Sequence, residues 1–349
     1  MKREMMKKPT TRSVLTAFLS AWILFGLVHD SACMEKGSQV INRPIGMAVE
    51  CMDHAACAYI ARDKGWFAAE GINVAAYETY VTGMALASAL ARGDIQVAYI
   101  CLVPAINAYA NAQVPLRIIA GTHKYGYGLV VDSGKIKIVE DLGKPGIRIG
   151  SVREGGAVDV LLHRVLEKFG LEKGMLLNRV QRMNPPKQVL AIKMRQLDAA
   201  FLPEQWATMA EGHGFAMLLT AKDVWPHMQG SVLVVKEELI RSDPDLIRKL
   251  VMVTQKATDW TIKNPTEAAA IMARQLSITG DKASPIQATK IAANLEITPQ
   301  ILLRSMARLE YSPFIDRDTV QETIDYLAHL GYIKKSFKAD DILDLRFLQ

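Results

Sequence analysis

The residues of this chain best suited to chemistry gather between Glu50 and Cys57. They are Glu50, Cys51, Asp53, His54 and Cys57, with Cys101 further along. Thiolate and imidazole are favoured ligands of transition metals, and Cys57 lies three residues past His54, so a helix there puts both on one face. The set admits a metal or metal-chelate site. No HxxxH or CxxC spacing accompanies it, and free cysteine also serves as a small buried hydrophobe, so no metal and no cofactor is the expectation. His54 can donate to an anion or stack, and its charge responds to pH near neutrality. Asp53, just ahead of a helix-like run, serves equally well as an N-cap. Beyond Cys33 only Cys51, Cys57 and Cys101 remain, an odd set that excludes a disulfide framework while leaving a Cys51–Cys101 bridge open.

A second group suits the capture of a small anion. Arg153 offers a guanidinium that binds carboxylate, sulfonate or phosphate bidentately, or it could pair with Glu154 or Asp159. Gly155 and Gly156 follow at a helix start, where they let backbone approach a ligand closely. Tyr80, Thr82, Cys101, Asn184, Glu204, Trp206 and His227 fall at or near predicted strand ends. Thr122 lies in the segment 122–127, which with 222–230 is a hinge candidate.

These positions need elements to hold them. Apolar runs at 45–49, 72–80, 96–102 and 116–120 read as strands, separated by helical spacing over 55–70, from Thr82 to Gly93, and over 105–112. A β-α-β order argues for a largely parallel sheet with right-handed crossovers. From Tyr127 the pattern restarts, with strands at 128–131, 147–151, 178–183, 199–202 and 215–219 and helices at 158–169, 185–195 and 205–211. A last strand at 231–235 precedes helices that open at Asp243-Pro244, Asn264-Pro265, Ser284-Pro285 and Thr298-Pro299, each a capping side chain before a first-turn proline. A final helix covers 319–330. The expectation is an α/β chain of two lobes, each a mostly parallel sheet flanked by helices. Lobe one comprises 34–126 and 228–349, with a helical C-terminal extension, and lobe two, 127–227, is inserted within it. In such sheets ligands bind at the strands' carboxyl ends, against helix N-termini.

Residues 1–33 read as an export signal, with Lys2, Arg3, Lys7, Lys8 and Arg12 ahead of an apolar run from Val14 to Val28 too short to span a bilayer comfortably. An uncleaved membrane anchor, or a lipid on Cys33, stays open, although Asp30 stands where a lipid-attachment site usually carries an aliphatic residue. The net charge of +6 leaves in part with that segment. The remaining charges are interspersed, which argues against nucleic acid and leaves a mild bias toward anionic small molecules.

Several stretches together resemble a known family. They are Lys64-Gly65-Trp66-Phe67 through Glu70-Gly71-Ile72-Asn73-Val74, Leu90-Ala91-Arg92-Gly93-Asp94 through Ala98-Tyr99, Val139-Glu140-Asp141-Leu142 before Ile147 to Gly150, Gln196-Leu197-Asp198-Ala199, and Leu330-Gly331-Tyr332-Ile333. In order and spacing they resemble the nitrate, sulfonate and taurine type of ABC-transporter substrate-binding proteins, which are similar to thiamine-pyrimidine-precursor binding proteins. The resemblance implies the type II periplasmic-binding-protein fold. It also implies an exported protein, a monomer, that closes on a small anionic or heteroaromatic solute by hinge motion and delivers it to ABC permease subunits. An enzyme of the same fold, resembling a pyrimidine-precursor synthase with a cysteine-rich iron motif, is the rival reading. This chain has no clustered cysteines, no G-x-S-x-G and no HExxH, so it is not expected to be an enzyme. A sensory module that kept the lobed fold is a third reading.

Overall fold

The computed structural model describes residues 43–280 and 295–348. The export signal at 1–33 and the helix start at Ser284-Pro285 lie outside them. The first part of the chain alternates as its periodicity predicts: β1 (Ile45–Glu50), α1 (Ala56–Asp63), α2 (Trp66–Ala69), β2 (Val74–Tyr80), α3 (Gly83–Arg92), β3 (Val97–Cys101), α4 (Leu102–Ala110) and β4 (Leu116–Lys124). The run 55–70, expected as one helix, is broken at Gly65, whose φ of 69° is left-handed, and is preceded by a 3-10 turn at Asp53–Ala55.

The second part holds β5 (Tyr127–Val131), β6 (Ile149–Ser151), α5 (Ala157–Lys168), α6 (Lys173–Leu177), β7 (Val180–Arg182), α7 (Pro185–Lys193), β8 (Ala199–Pro203), α8 (Glu204–Glu211), β9 (Ala216–Thr220) and α9 (Ala221–Val224). The chain returns through β10 (Gln229–Lys236) into α10 (Glu237–Ser242), α11 (Pro244–Lys263), α12 (Pro265–Gly280), α13 (Pro299–Met306), β11 (Glu310–Tyr311) and α14 (Arg317–His329). The capping reading holds at Asp243 and Thr298, and Asn184, which was expected only as a ligand position, caps as well. Asn184, Asp243 and Thr298 accept from the backbone N–H of Lys187, Leu246 and Ile301 at 3.0, 3.0 and 3.3 Å. Asn264 behaves differently, its amide donating to the Trp260 carbonyl at 2.9 Å and so closing α11.

Each lobe is built on one sheet. In the first, ordered β11-β4-β10-β3-β1-β2, β1 pairs parallel with β2 and β3, while β10 lies antiparallel between β3 and β4. In the second, ordered β7-β6-β8-β5-β9, β6 pairs parallel with β7 and β8, and β5 is antiparallel to β8 and β9. Most strands of each sheet therefore share a direction; β10 and the edge strand β11 are reversed in the first sheet, and β5 is reversed in the second. β3 and β4 are consecutive yet not neighbours, because the distant β10 wedges between them.

Alternation along the first sheet sends side chains to two cores, as period two requires. Ala98 and Ile100 join Leu86, Leu90 and Ile106 of α3 and α4 on one face. Val97 and Tyr99 join Ile60, Leu250 and Met272 of α1, α11 and α12 on the other. The C-terminal segment, expected on lobe one alone, touches both lobes. Arg164 of α5 lies 3.9 Å over the Tyr326 ring of α14, and the Tyr332 hydroxyl donates to Asp159 at 2.5 Å. Among the described residues, no helix is long and apolar enough to cross a membrane.

Candidate functional site

Parallel pairing brings the carboxyl ends of β1 and β3 to one edge, and with them Glu50 and Cys101. Glu50 Oε2 accepts from the Cys101 backbone N–H at 2.9 Å and from its thiol at 2.9 Å. Tyr127, opening β5, and Ser231 of β10 donate to the Cys101 sulfur at 3.0 and 3.5 Å. His54, in the 3-10 turn after β1, sets its Nε2 2.8 Å from the Gly126 carbonyl. A carbonyl only accepts, so Nε2 carries the proton and Nδ1 turns its lone pair to the Cys101 sulfur, 3.7 Å away. Glu50 and His54 are each 1% exposed and Cys101 4%. The other Glu50 oxygen, Oε1, is buried without a hydrogen-bond partner. It sits against Gly83, where a Cβ would stand 2.4 Å from it.

Burial sets the charge of this group. It raises the Glu50 carboxyl to about 7 against two hydrogen bonds from Cys101 that oppose the shift, and it holds His54 down at about 4 despite the Gly126 bond. The Cys101 thiol is pushed well up by burial and then by the neighbouring Glu50 charge. Burial thus favours the uncharged form of each, a carboxylic acid, a neutral imidazole and a thiol.

Glu50 and Cys101 from the first sheet and Tyr127 from the second border a cavity of ≈ 180 Å³ between the sheets. Thr82, Gly83 and Pro104 continue the first lobe's wall, and Val152, Arg153, Gly156 and Pro203 form the second's. A shallower depression beside it is lined by Thr82, Arg153, Glu154, Arg182 and Asn184. The two walls are joined at the crossings: Tyr125 N–H donates to the Met228 carbonyl at 2.9 Å. Tyr125, Gly126 and His227 hold φ of 62°, 89° and 74° in these links. Gly126 is required there, because a Cβ would lie 2.7 Å from His54 Nε2.

The expected site residues divide by this geometry. Thr82, Cys101, Arg153 and Gly156 line the cavity, and Asn184 lines the depression. Thr82 and Asn184 are also helix caps. Gly155, with φ 75°, lies behind the wall; its N–H donates to Asp159 and its carbonyl accepts from Asn107, each at 3.0 Å. His54 and Thr122 stand one layer behind Cys101, Thr122 donating to the His54 carbonyl at 3.2 Å. Asp53 turns away from the cavity; burial raises its carboxyl to about 7, with Ser305 opposing and the charge of Glu204 adding. Tyr80 donates to the Glu78 carboxylate off the cavity, Trp206 packs with Val189, Ile192 and Leu202 in lobe two's outer core, and His227 is exposed on the return crossing. Glu204 is paired with Arg308 at 2.9 Å.

The Cys51–Cys101 bridge does not form. Cys51, Cys57 and Cys101 are not in disulfides, because Cys51 joins the core under α1 and α11 with Cys57 while Cys101 joins the opposite core. Arg153 does not take the partners its neighbours offered. Arg182, which sequence reasoning passed over, pairs with Asp159 and approaches Glu154 to 3.7 Å, and Arg153 has no ion-pair partner among the described residues. Tyr127 was likewise missed as a ligand position, whereas Glu50, singled out with its loop, does line the cavity. The signal for Glu50 was an acid closing an otherwise apolar strand.

Comparison with known proteins places this geometry. The chain is 28% identical over 229 residues, 64% of its length and 68% of the other's, to a Brucella abortus (strain 2308) protein named only as a candidate binding protein. Among solved structures it is similar to the zinc-bound ligand-binding component of an ABC-type import system from Staphylococcus aureus, with a TM-score of 0.70 and 16% identity over 87% of this chain and 97% of that one. It is also similar to the alkanesulfonate-binding protein of Xanthomonas axonopodis pv. citri bound to MOPS (TM-score 0.69, 14% identity, 86% and 98% covered). The nitrate-binding protein of Synechocystis PCC 6803 is a further match (TM-score 0.67, 15% identity, 87% of each chain). These likenesses give the two-lobed binding-protein fold. The family match spans residues 44–277, every strand but β11 and the residues that line the cavity, and so the chain belongs to the NMT1-like family.

Proposed function

We propose that this protein is the extracytoplasmic solute-binding component of an ABC importer, acting without catalysis as a monomer that closes on a small anionic or heteroaromatic solute and presents it to a membrane permease. The observation that carries the reading is Arg153, a guanidinium on the cavity wall with no ion-pair partner among the described residues, set just ahead of α5. The first turns of α3 and α5 both border the cavity, and the positive ends of those helices favour the same charge. The apolar remainder of the wall suits the body of the solute. The names of the structural neighbours, which bind an alkanesulfonate and nitrate, support the anion.

The solute is sought by thermal unfolding of the purified protein with nitrate, alkanesulfonates, taurine, aromatic sulfonates and pyrimidines. A ligand at a hundred times its Kd stabilises the folded state by about 2.7 kcal/mol, so a true solute raises Tm measurably. The absence of a shift from every class would count against the importer reading.

A further inference from the structure

We infer that Glu50, His54 and Cys101 form a transition-metal site at the base of the cavity, with an open coordination position facing the solute. One donor atom from each residue lies within 4.8 Å of the other two, and all three residues are buried. The donor set is mixed, one sulfur, one nitrogen and one oxygen, which selects zinc, cobalt, nickel or copper over magnesium and calcium.

Three independent details point to a cation rather than to a simple hydrogen-bonded cluster. Glu50 Oε1 is buried on the cavity wall with no partner, a cost that a hydrogen-bonded core would avoid. The His54 ring is fixed by its Nε2–H donating to Gly126, the outer-shell bond that metal-ligating imidazoles characteristically make. The Cys101 sulfur accepts from the hydroxyls of Tyr127 and Ser231, two donors already in place to stabilise the thiolate that a metal would create.

The spacing is close to that of a metal site for the two pairs that include the sulfur, while the Glu50 and His54 donor atoms, within 4.8 Å of each other, must draw together as an ion binds. Bonds of about 2.3 Å to sulfur and about 2.0 Å to nitrogen and oxygen place tetrahedral ligand atoms roughly 3.3–3.7 Å apart. The sulfur to Nδ1 distance is 3.7 Å already. The sulfur to Oε2 distance of 2.9 Å must open by about half an ångström, which happens when the thiol proton holding those atoms together leaves for solvent and the metal takes its place. Glu50 and Cys101 line the cavity and His54 stands behind it, so the fourth position opens toward the cavity. A divalent ion held by one thiolate and one carboxylate has no net charge, and it leaves that position free for a donor atom of the solute.

Cobalt(II) titration of the purified, chelator-stripped protein tests the site. The expected result is one equivalent bound with a near-ultraviolet thiolate-to-cobalt band, abolished in Cys101→Ser and retained in Cys51→Ser. Tyr127→Phe, which removes a donor to the sulfur, should weaken cobalt binding by about 10- to 100-fold. Absence of the band in the wild-type protein would overturn the site, whether or not any variant folds, and a band that survives Cys101→Ser would place the metal elsewhere. Arg153→Ala should leave the band intact, so that loss of anion binding and loss of metal binding are read separately.

Discussion

Replacing Arg308 with methionine should destabilise the protein far more than replacing its partner, and the difference should depend on pH. Arg308 follows α13 and reaches across to α8, donating to Glu204 at 2.9 Å, to Thr208 at 3.3 Å and to both oxygens of Glu211 at 3.0 Å. The Glu204 side chain is 1% exposed and that of Arg308 30%. Arg308→Met strands a buried carboxylate, a loss of about 3 kcal/mol at pH 8. Glu204→Gln leaves a guanidinium that keeps Glu211 and reaches solvent, a loss of about 1 kcal/mol. Burial already raises the Glu204 carboxyl above 4.5, with Arg308 opposing, so losing Arg308 raises it further. A carboxyl raised in the folded state takes up a proton on folding, and its penalty is absent below the unfolded value and grows as pH rises toward the folded one. Each pH unit across that window is worth about 1.4 kcal/mol, so at pH 5 the Arg308→Met penalty should fall below about 1 kcal/mol. Urea unfolding of both variants at pH 5 and pH 8 measures this. Equal losses at pH 8, or an Arg308→Met loss unchanged at pH 5, would refute the reasoning.

Two further outcomes follow from other parts of the fold. Gly230→Ala places a methyl 2.1 Å from His123 Cε1 and 2.7 Å from the Tyr125 carbonyl oxygen, and should cost at least about 2 kcal/mol in chemical denaturation because the crossing backbone must move. Asp198, held by Arg148 at 2.8 Å and Lys135 at 2.5 Å, has its carboxyl lowered by the Arg148 hydrogen bonds first, against some burial. Its stabilisation is present above the unfolded value of 3.8 and is lost as pH falls through the folded one, so Asp198→Asn should flatten the acid limb of a stability-against-pH curve, an unchanged limb meaning that the pair does not contribute.

Much of the fold was legible because it is local. The continuous apolar runs of β1 and β3 and the Asp243-Pro244 and Thr298-Pro299 caps act over a few residues, and the structure keeps each of them. The insertion of β10 between β3 and β4 was hidden, since nothing in either strand encodes a neighbour more than a hundred residues away. The site divides along the same line. A loop between β1 and α1 could be foreseen, but not that Cys51 joins one core while Glu50 lines the cavity. Trp206 illustrates the converse, a strand-end aromatic that the α8 packing draws into the core. Arg153 was readable as a charge before a helix; that it stays unpaired required seeing Arg182 take Asp159.

The central claim, that the cavity takes an anion through Arg153, is tested most directly by calorimetric titration of the wild-type protein and Arg153→Ala with whichever screened solute binds. One-to-one binding is expected for the wild type, weakened in the variant by about 2 kcal/mol, roughly thirtyfold, for the loss of charge-assisted hydrogen bonds. Equal affinity in the two proteins would contradict it.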